Sequence, residues 1–212
     1  RNKKQVIQHI SEVRCDMVIL DMLNVDKETM RRVKEQKIKC IVFENTQDHV
    51  IETADLVINA LYETSIERDN VRNGYQYEVI RPDIKAFNAI KEVFTEKNKG
   101  KAINIMTCFG GTDPNSFNSK MNSVYKRLEE SMASNNEMEV KIIEFLNIRG
   151  NNESKWKSNN GRIKIETYEH SNLVGREIAN CDIMICGNGR MVYEGASLEK
   201  KIIAIPQNSR ES

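Results

Sequence analysis

The sequence predicts an α/β protein of mostly parallel, doubly wound sheets, organised as two sheets rather than one. Three observations carry this reading. Short apolar runs alternate with helical patterns along almost all of the 212 residues. Most of the runs are continuously apolar, as strands buried on both faces read. The segments between them are long enough for the helical crossovers that parallel neighbours require.

The expected strands of the first half are Met17 to Asp21, Ile38 to Glu44 and Asp55 to Asn59. Those of the second half are Ala102 to Phe109, Val140 to Phe145, Ile163 to Glu166, Asp182 to Cys186 and Lys201 to Ile205. A helix over Lys27 to Gln36 has Asp26 placed to cap it. A second, Ile84 to Phe94, carries Ile84, Phe87, Ile90 and Phe94 on one side. The clearest helix follows Gly111, with Thr112 or Asp113 to cap it and Pro114 in its first turn. Phe117, Met121, Val124, Leu128 and Met132 make its apolar stripe. Tyr62 to Gln76 and Asn147 to Gly161 are polar stretches that read as loops, the latter pinned by Trp156.

Two joints echo each other: Ala54-Asp55-Leu56-Val57-Ile58-Asn59 and Asn180-Cys181-Asp182-Ile183-Met184-Ile185-Cys186. The echo favours two similar sheets. Thr95 to Lys101, charged and without large apolar residues, is the best linker between them. The expected domains are therefore residues 1–97 and 98–212. The chain opens at Arg1 and ends just after a strand, so it reads as a piece cut at both ends. A sheet short of strands is expected to expose an edge that can pair with a second copy.

Composition excludes several functions. Lys and Arg total 32 against 31 Asp and Glu, scattered rather than gathered into a basic stripe. Nucleic-acid binding has no support. No apolar run reaches the length of a membrane span, and no signal peptide precedes the first strand. Cys15, Cys40, Cys108, Cys181 and Cys186 lie in or beside apolar runs without Cys-x-x-Cys spacing. They read as reduced core thiols of a cytoplasmic protein. His9, His49 and His170 are far apart in sequence, which argues against a zinc site.

Two strand-to-turn-to-helix joints carry the functional signal. The first runs Ile103-Asn104-Ile105-Met106-Thr107-Cys108-Phe109 into Gly110-Gly111-Thr112-Asp113-Pro114. The second runs Asp182-Ile183-Met184-Ile185-Cys186 into Gly187-Asn188-Gly189-Arg190, with Glu194 about one helical turn further on. Glycines let a backbone approach a ligand closely, and a helix start offers unpaired N–H groups to phosphate. Each joint is also what a tight turn with a helix cap looks like. Glu194 fits two roles: a solvated helix residue, or an acceptor for both hydroxyls of a ribose.

These residues, followed by Pro206-Gln207-Asn208, resemble the spore-coat-polysaccharide (SpsG-like) branch of the GT-B superfamily. Characterised members of that branch include the UDP-sugar hydrolase of the pseudaminic acid pathway. The likeness covers nearly the whole chain. It implies two Rossmann-like domains, the N-terminal one incomplete here, and a UDP-sugar ligand with no metal or other cofactor. By the same likeness Gly187, Asn188, Gly189 and Arg190 meet the diphosphate, and Glu194 meets the ribose. Gly110, Gly111 and Thr112 face the diphosphate or sugar from the first turn, and uracil lies near Tyr168 to Leu173.

The family's general base is a histidine on a glycine-rich loop near the N-terminus. No such loop is present, so no catalytic residue is assigned; His9 reads as solvated, while His49 stands at a strand end near the expected cleft. Tyr193 and Arg190 also depart from the family pattern, which has a smaller polar residue and a Ser or Thr there. The expected function is UDP-sugar hydrolysis in surface-glycan synthesis. A GT-B glycosyltransferase and a non-catalytic nucleotide-sugar-binding module are the alternatives.

Overall fold

The computed structural model describes residues 15–22, 24–61, 64–93, 102–111, 113–134, 138–146, 156–169, 174–208 and 211, with Gln8 and Glu12. The chain forms two compact units, Arg1–Val79 and Ile80–Ser212.

In the first unit β1 (Met17–Asp21), α1 (Lys27–Glu35), β2 (Lys39–Phe43), α2 (Asp48–Ile51), β3 (Leu56–Asn59) and β4 (Val71–Asn73) follow in order. The strands form one parallel sheet in the order β1-β2-β3-β4. Asp26 caps α1, its carboxylate accepting from the Thr29 N–H at 3.0 Å. This lets Met30 and Val33 drop onto Leu20, Val42 and Val57 of the sheet. Strand β4 falls inside the stretch read as loop. It is three residues long and its one buried apolar side chain is Val71, too little for a periodic signal. Asn73 ties it to the segment before it, its amide donating to the Ile66 carbonyl at 2.6 Å. The continuous apolar run of β1 is also buried unequally: Leu20 is in the core, whereas Met17 and Ile19 are exposed.

The second unit holds α3 (Pro82–Ala89), β5 (Ile103–Cys108), α4 (Phe117–Ser131), β6 (Val140–Phe145), β7 (Ile163–Tyr168), α5 (Val174–Asn180), β8 (Ile183–Gly187), α6 (Arg190–Ser197) and β9 (Lys201–Ile205). Its five strands are parallel, in the order β7-β6-β5-β8-β9. Alternation along β5 sends Met106 and Cys108 to one face and Ile105 to the other. Ile84, Ile178 and Leu198 cover the first face; Met121, Tyr125 and Met132 cover the second. The sheet is thus the middle of three layers.

The division into units falls at residues 79 and 80, earlier than the expected 97 and 98. The cause is α3, whose Ile84 is fully buried with Met106, Ile178 and Met184 of the second unit. The linker candidate, residues 95–101, lies outside the described residues. Helix α4 begins at Phe117, so Pro114 precedes it. Its buried stripe uses Tyr125, while Val124 is exposed. Trp156 packs on Tyr125 at a ring separation of 6.1 Å, and its backbone N–H donates to Asn122 Oδ1 at 3.2 Å. It pins its segment to α4 rather than to a local turn.

Candidate functional site

Strands β5 and β8 are neighbours, with Cys108 opposite Cys186 in register. From β5 the chain winds outward one way through β6 and β7; from β8 it continues the other way to β9. The β5/β8 boundary is therefore where the winding direction reverses, the place where open parallel sheets form a ligand crevice at their carboxyl ends. Both glycine joints emerge there. Sequence spacing alone did not show that they would be adjacent.

In the second joint, β8 ends at Gly187 and Gly189 precedes α6. A Cβ at Gly187 would lie 2.3 Å from Gln207 Nε2, so the Gln207 side chain rests against this backbone. The Asn188 N–H donates to the Ile205 carbonyl at 3.2 Å, and its side-chain amide donates to the Glu211 carbonyl. Gly189 differs: a Cβ there would meet nothing within 4 Å. Open space thus faces the start of α6, where Arg190 is the first helical residue.

The first joint is closed by its own acid. Gly110 has φ +77°, in the left-handed region that favours glycine, and faces open space. Asp113 is buried at 2% exposure, and its two carboxylate oxygens accept from the Phe117 and Asn118 N–H groups at 2.8 and 3.1 Å. Two of the N–H groups at the start of α4 are therefore already satisfied. Gly111 is exposed beside Gly110, and Thr112 lies outside the described residues.

Gln207 ties the two joints together. Its side-chain amide donates to the Phe109 carbonyl at 2.7 Å, and its own carbonyl accepts from Asn115 at 2.7 Å. Glu211 holds the Gln207 N–H at 2.8 Å. This clasp was not apparent from spacing, because its partners are 98 and 92 residues apart.

Glu194 is not a solvated helix residue; its side chain is 10% exposed. Gly195 sets this burial. A Cβ there would lie 2.5 Å from Met184 Cε, so the glycine lets α6 lie close on the sheet. Arg81, just before α3, brings its Nε to 2.8 Å from Glu194 Oε1 and 3.6 Å from Asp83 Oδ1. The contact is close but off the hydrogen-bonding axis: Arg81 Nε and Nη2 are buried without an aligned acceptor. Burial pushes the Glu194 carboxyl above its ordinary range, and Arg81 opposes that shift. Nothing in the local pattern around Arg81 announced this partnership, which spans more than a hundred residues of sequence.

His49 Nε2 donates to the Val25 carbonyl at 2.7 Å, a bond that fixes its tautomer and leaves Nδ1 as its acceptor nitrogen. His9 and His170 lie outside the described residues, as do residues 171–173 of the segment expected near uracil. Tyr168 of that segment stacks on Phe145 with ring centroids 5.5 Å apart. Among the described residues no group of three or more His, Cys, Asp or Glu side chains is placed to hold a metal ion. No helix among them is long and apolar enough to cross a membrane.

Two parallel-sheet units of this kind define a GT-B-type, Rossmann-like α/β protein. Solved structures carry the same fold. MurG of Acinetobacter baumannii matches with a TM-score of 0.60 at 12% identity, over 96% of this chain and 56% of its own. A putative UDP-N-acetylglucosamine 2-epimerase of Listeria monocytogenes matches at 0.59 and 10% identity, over 98% of this chain and 62% of its own. The UDP-GlcNAc 2-epimerase of Neisseria meningitidis, solved bound to UDP-GlcNAc, matches at 0.58 and 11% identity, over 98% and 65%. No family model matches the chain. MJ1062, an uncharacterized protein of Methanocaldococcus jannaschii, is 21% identical over 220 residues, covering 98% of this chain and 43% of the relative. The chain thus spans less than half of that relative and less than two thirds of each solved neighbour.

Proposed function

We propose that Ile80–Ser212 is the nucleotide-sugar-binding half of a GT-B enzyme that acts on a UDP-sugar. The observation that carries the reading is the pairing of two glycine turns at the β5/β8 reversal point, with open space before α6. A diphosphate fits the turn Gly187, Asn188, Gly189 and Arg190, where a helix start opens onto free space and its first residue is an arginine. The ribose hydroxyls fit Glu194. Asp113 supports a division of labour, since its carboxylate already serves the first helix start and would repel a second anion. Gly110, Gly111 and Thr112 are accordingly assigned to the sugar rather than to the diphosphate. The UDP-GlcNAc carried by the Neisseria epimerase supports the ligand class.

Hydrolysis with UDP release, as in the SpsG-like branch, is the reaction proposed for the whole protein. The family's base is a histidine on a glycine-rich loop, and no residue of this chain is assigned that role. Transfer of the sugar to another acceptor is the second reading, and the first turn favours neither.

Gly189→Ala tests the site. The added methyl meets nothing within 4 Å, so the fold tolerates it while the approach to α6 narrows. The expected result is weakened UDP binding, read by calorimetry, with the unfolding transition lowered by no more than about 1 kcal/mol. Unchanged UDP affinity would remove the diphosphate from this turn. Analysis of products from a UDP-sugar with the whole protein then separates free sugar from transferred sugar.

A further inference from the structure

Arg81 lies outside both glycine joints, yet its guanidinium reaches the carboxylate assigned to ribose. We infer that Arg81 is a positioning residue for Glu194: its close ionic contact with one carboxylate oxygen holds the buried side chain in place, so that the other oxygen can accept the 2′-hydroxyl of a ribonucleotide. The inference rests on the nucleotide-sugar reading of this site.

Three features support it. Glu194 is almost fully enclosed, and an unpaired carboxylate in such a place is costly. Arg81 Nε touches one oxygen, at 2.8 Å, and a carboxylate has acceptor sites on both. The arginine is itself fixed, because α3 is anchored next to it: a Cβ at Gly175 would lie 2.2 Å from Asp83 Oδ2 and 3.3 Å from Ile84 Cδ1, so α3 sits tightly on α5. The other charged and titratable groups that bear on Glu194 are Asp83, Arg190 and the Cys108 thiol. Asp83 opposes ionisation and Arg190 favours it, with Arg81 the larger of these two supporting influences.

The alternative, direct contact of Arg81 with the diphosphate, makes a different prediction. A positioning role acts through the ribose, whereas a phosphate contact is blind to the sugar hydroxyl. The test is calorimetric titration of this chain and of Arg81→Gln with UDP and with 2′-deoxy-UDP. Wild type should prefer UDP; Arg81→Gln should lose about tenfold in UDP affinity and little in 2′-deoxy-UDP affinity, so the preference collapses. The remaining UDP affinity should also fall as pH drops from about 7 toward 5, because Glu194 then takes up a proton more readily. Arg81→Lys, which keeps the charge, should restore most of the preference and serves if Arg81→Gln does not fold.

Equal losses for the two nucleotides, or a preserved preference, would overturn the inference. Failure of the underlying reading is distinguishable: Glu194→Gln would then leave the preference of the wild-type arginine background intact. If Glu194→Gln abolishes the preference and Arg81→Gln does not, the site stands and the role of Arg81 falls.

Discussion

The side-chain amide of Gln207 donates to the carbonyl of Phe109 at 2.7 Å, joining the chain beyond β9 to the last residue before the first glycine turn. Through it the ends of β5 and β8 are held as one surface, since the same side chain rests on Gly187. Gln207→Ala should therefore lower stability by about 1 kcal/mol, the net value of one such bond. It should also loosen both turns. Urea denaturation reads the first effect, and an unchanged midpoint would show that the clasp contributes nothing.

Gly187→Ala tests the same contact from the opposite side. Its methyl would lie 2.3 Å from Gln207 Nε2, so the glutamine must leave. The expected cost is about 1–3 kcal/mol, the range for overpacking. In the double variant with Gln207→Ala the costs should not add, because either change alone breaks the contact. Additive losses in a double-mutant cycle would contradict the geometry.

Asp113 serves as the cap of α4 from an unusual distance, accepting from Phe117 and Asn118 while its own φ is +35°. Asp113→Ala should destabilise by about 1–2 kcal/mol. Asp113→Asn should cost less, since asparagine tolerates the left-handed region and keeps one acceptor oxygen. Equal losses for the two variants would assign the effect to something other than capping.

These residues also show how much the sequence discloses. Every described strand but β4 was legible because runs such as Ile183 to Cys186 are apolar throughout, and Asp26 announced α1 by its place before an amphipathic stripe. Strand β4 was hidden because three residues with one buried valine leave no period. The glycine turns were legible as turns; their adjacency is a property of strand order, which local pattern does not encode. Arg81 and Gln207 were missed as site residues for the same reason. Each acts on a partner that only the folded sheet brings near.

The buried thiols predict an alkaline limit. Burial pushes Cys40 up to about 11, and Cys181 and Cys186 up to about 12. An unfolded cysteine ionises near pH 8.5. Between about 8.5 and these raised values the unfolded chain releases protons that the folded chain retains, so stability falls as pH rises through that window. Below it these groups contribute no pH dependence. The slope reaches at most about 1.4 kcal/mol per pH unit for each thiol. Denaturation midpoints at about pH 7.5, 9 and 10 should decline over the last two, and Cys186→Ala should flatten the decline; a flat profile in the parent protein would contradict it.

The central claim is that the β5/β8 crevice is a uridine-nucleotide site closed on one side by Glu194. Its most direct test is calorimetric titration of the chain with UDP, beside CDP and ADP, repeated on Glu194→Ala. The account predicts selective binding of UDP, weakened by roughly tenfold or more when the carboxylate is removed. Binding of all three nucleotides alike, no binding at all, or a Glu194→Ala variant that folds and binds UDP as the parent does would contradict it.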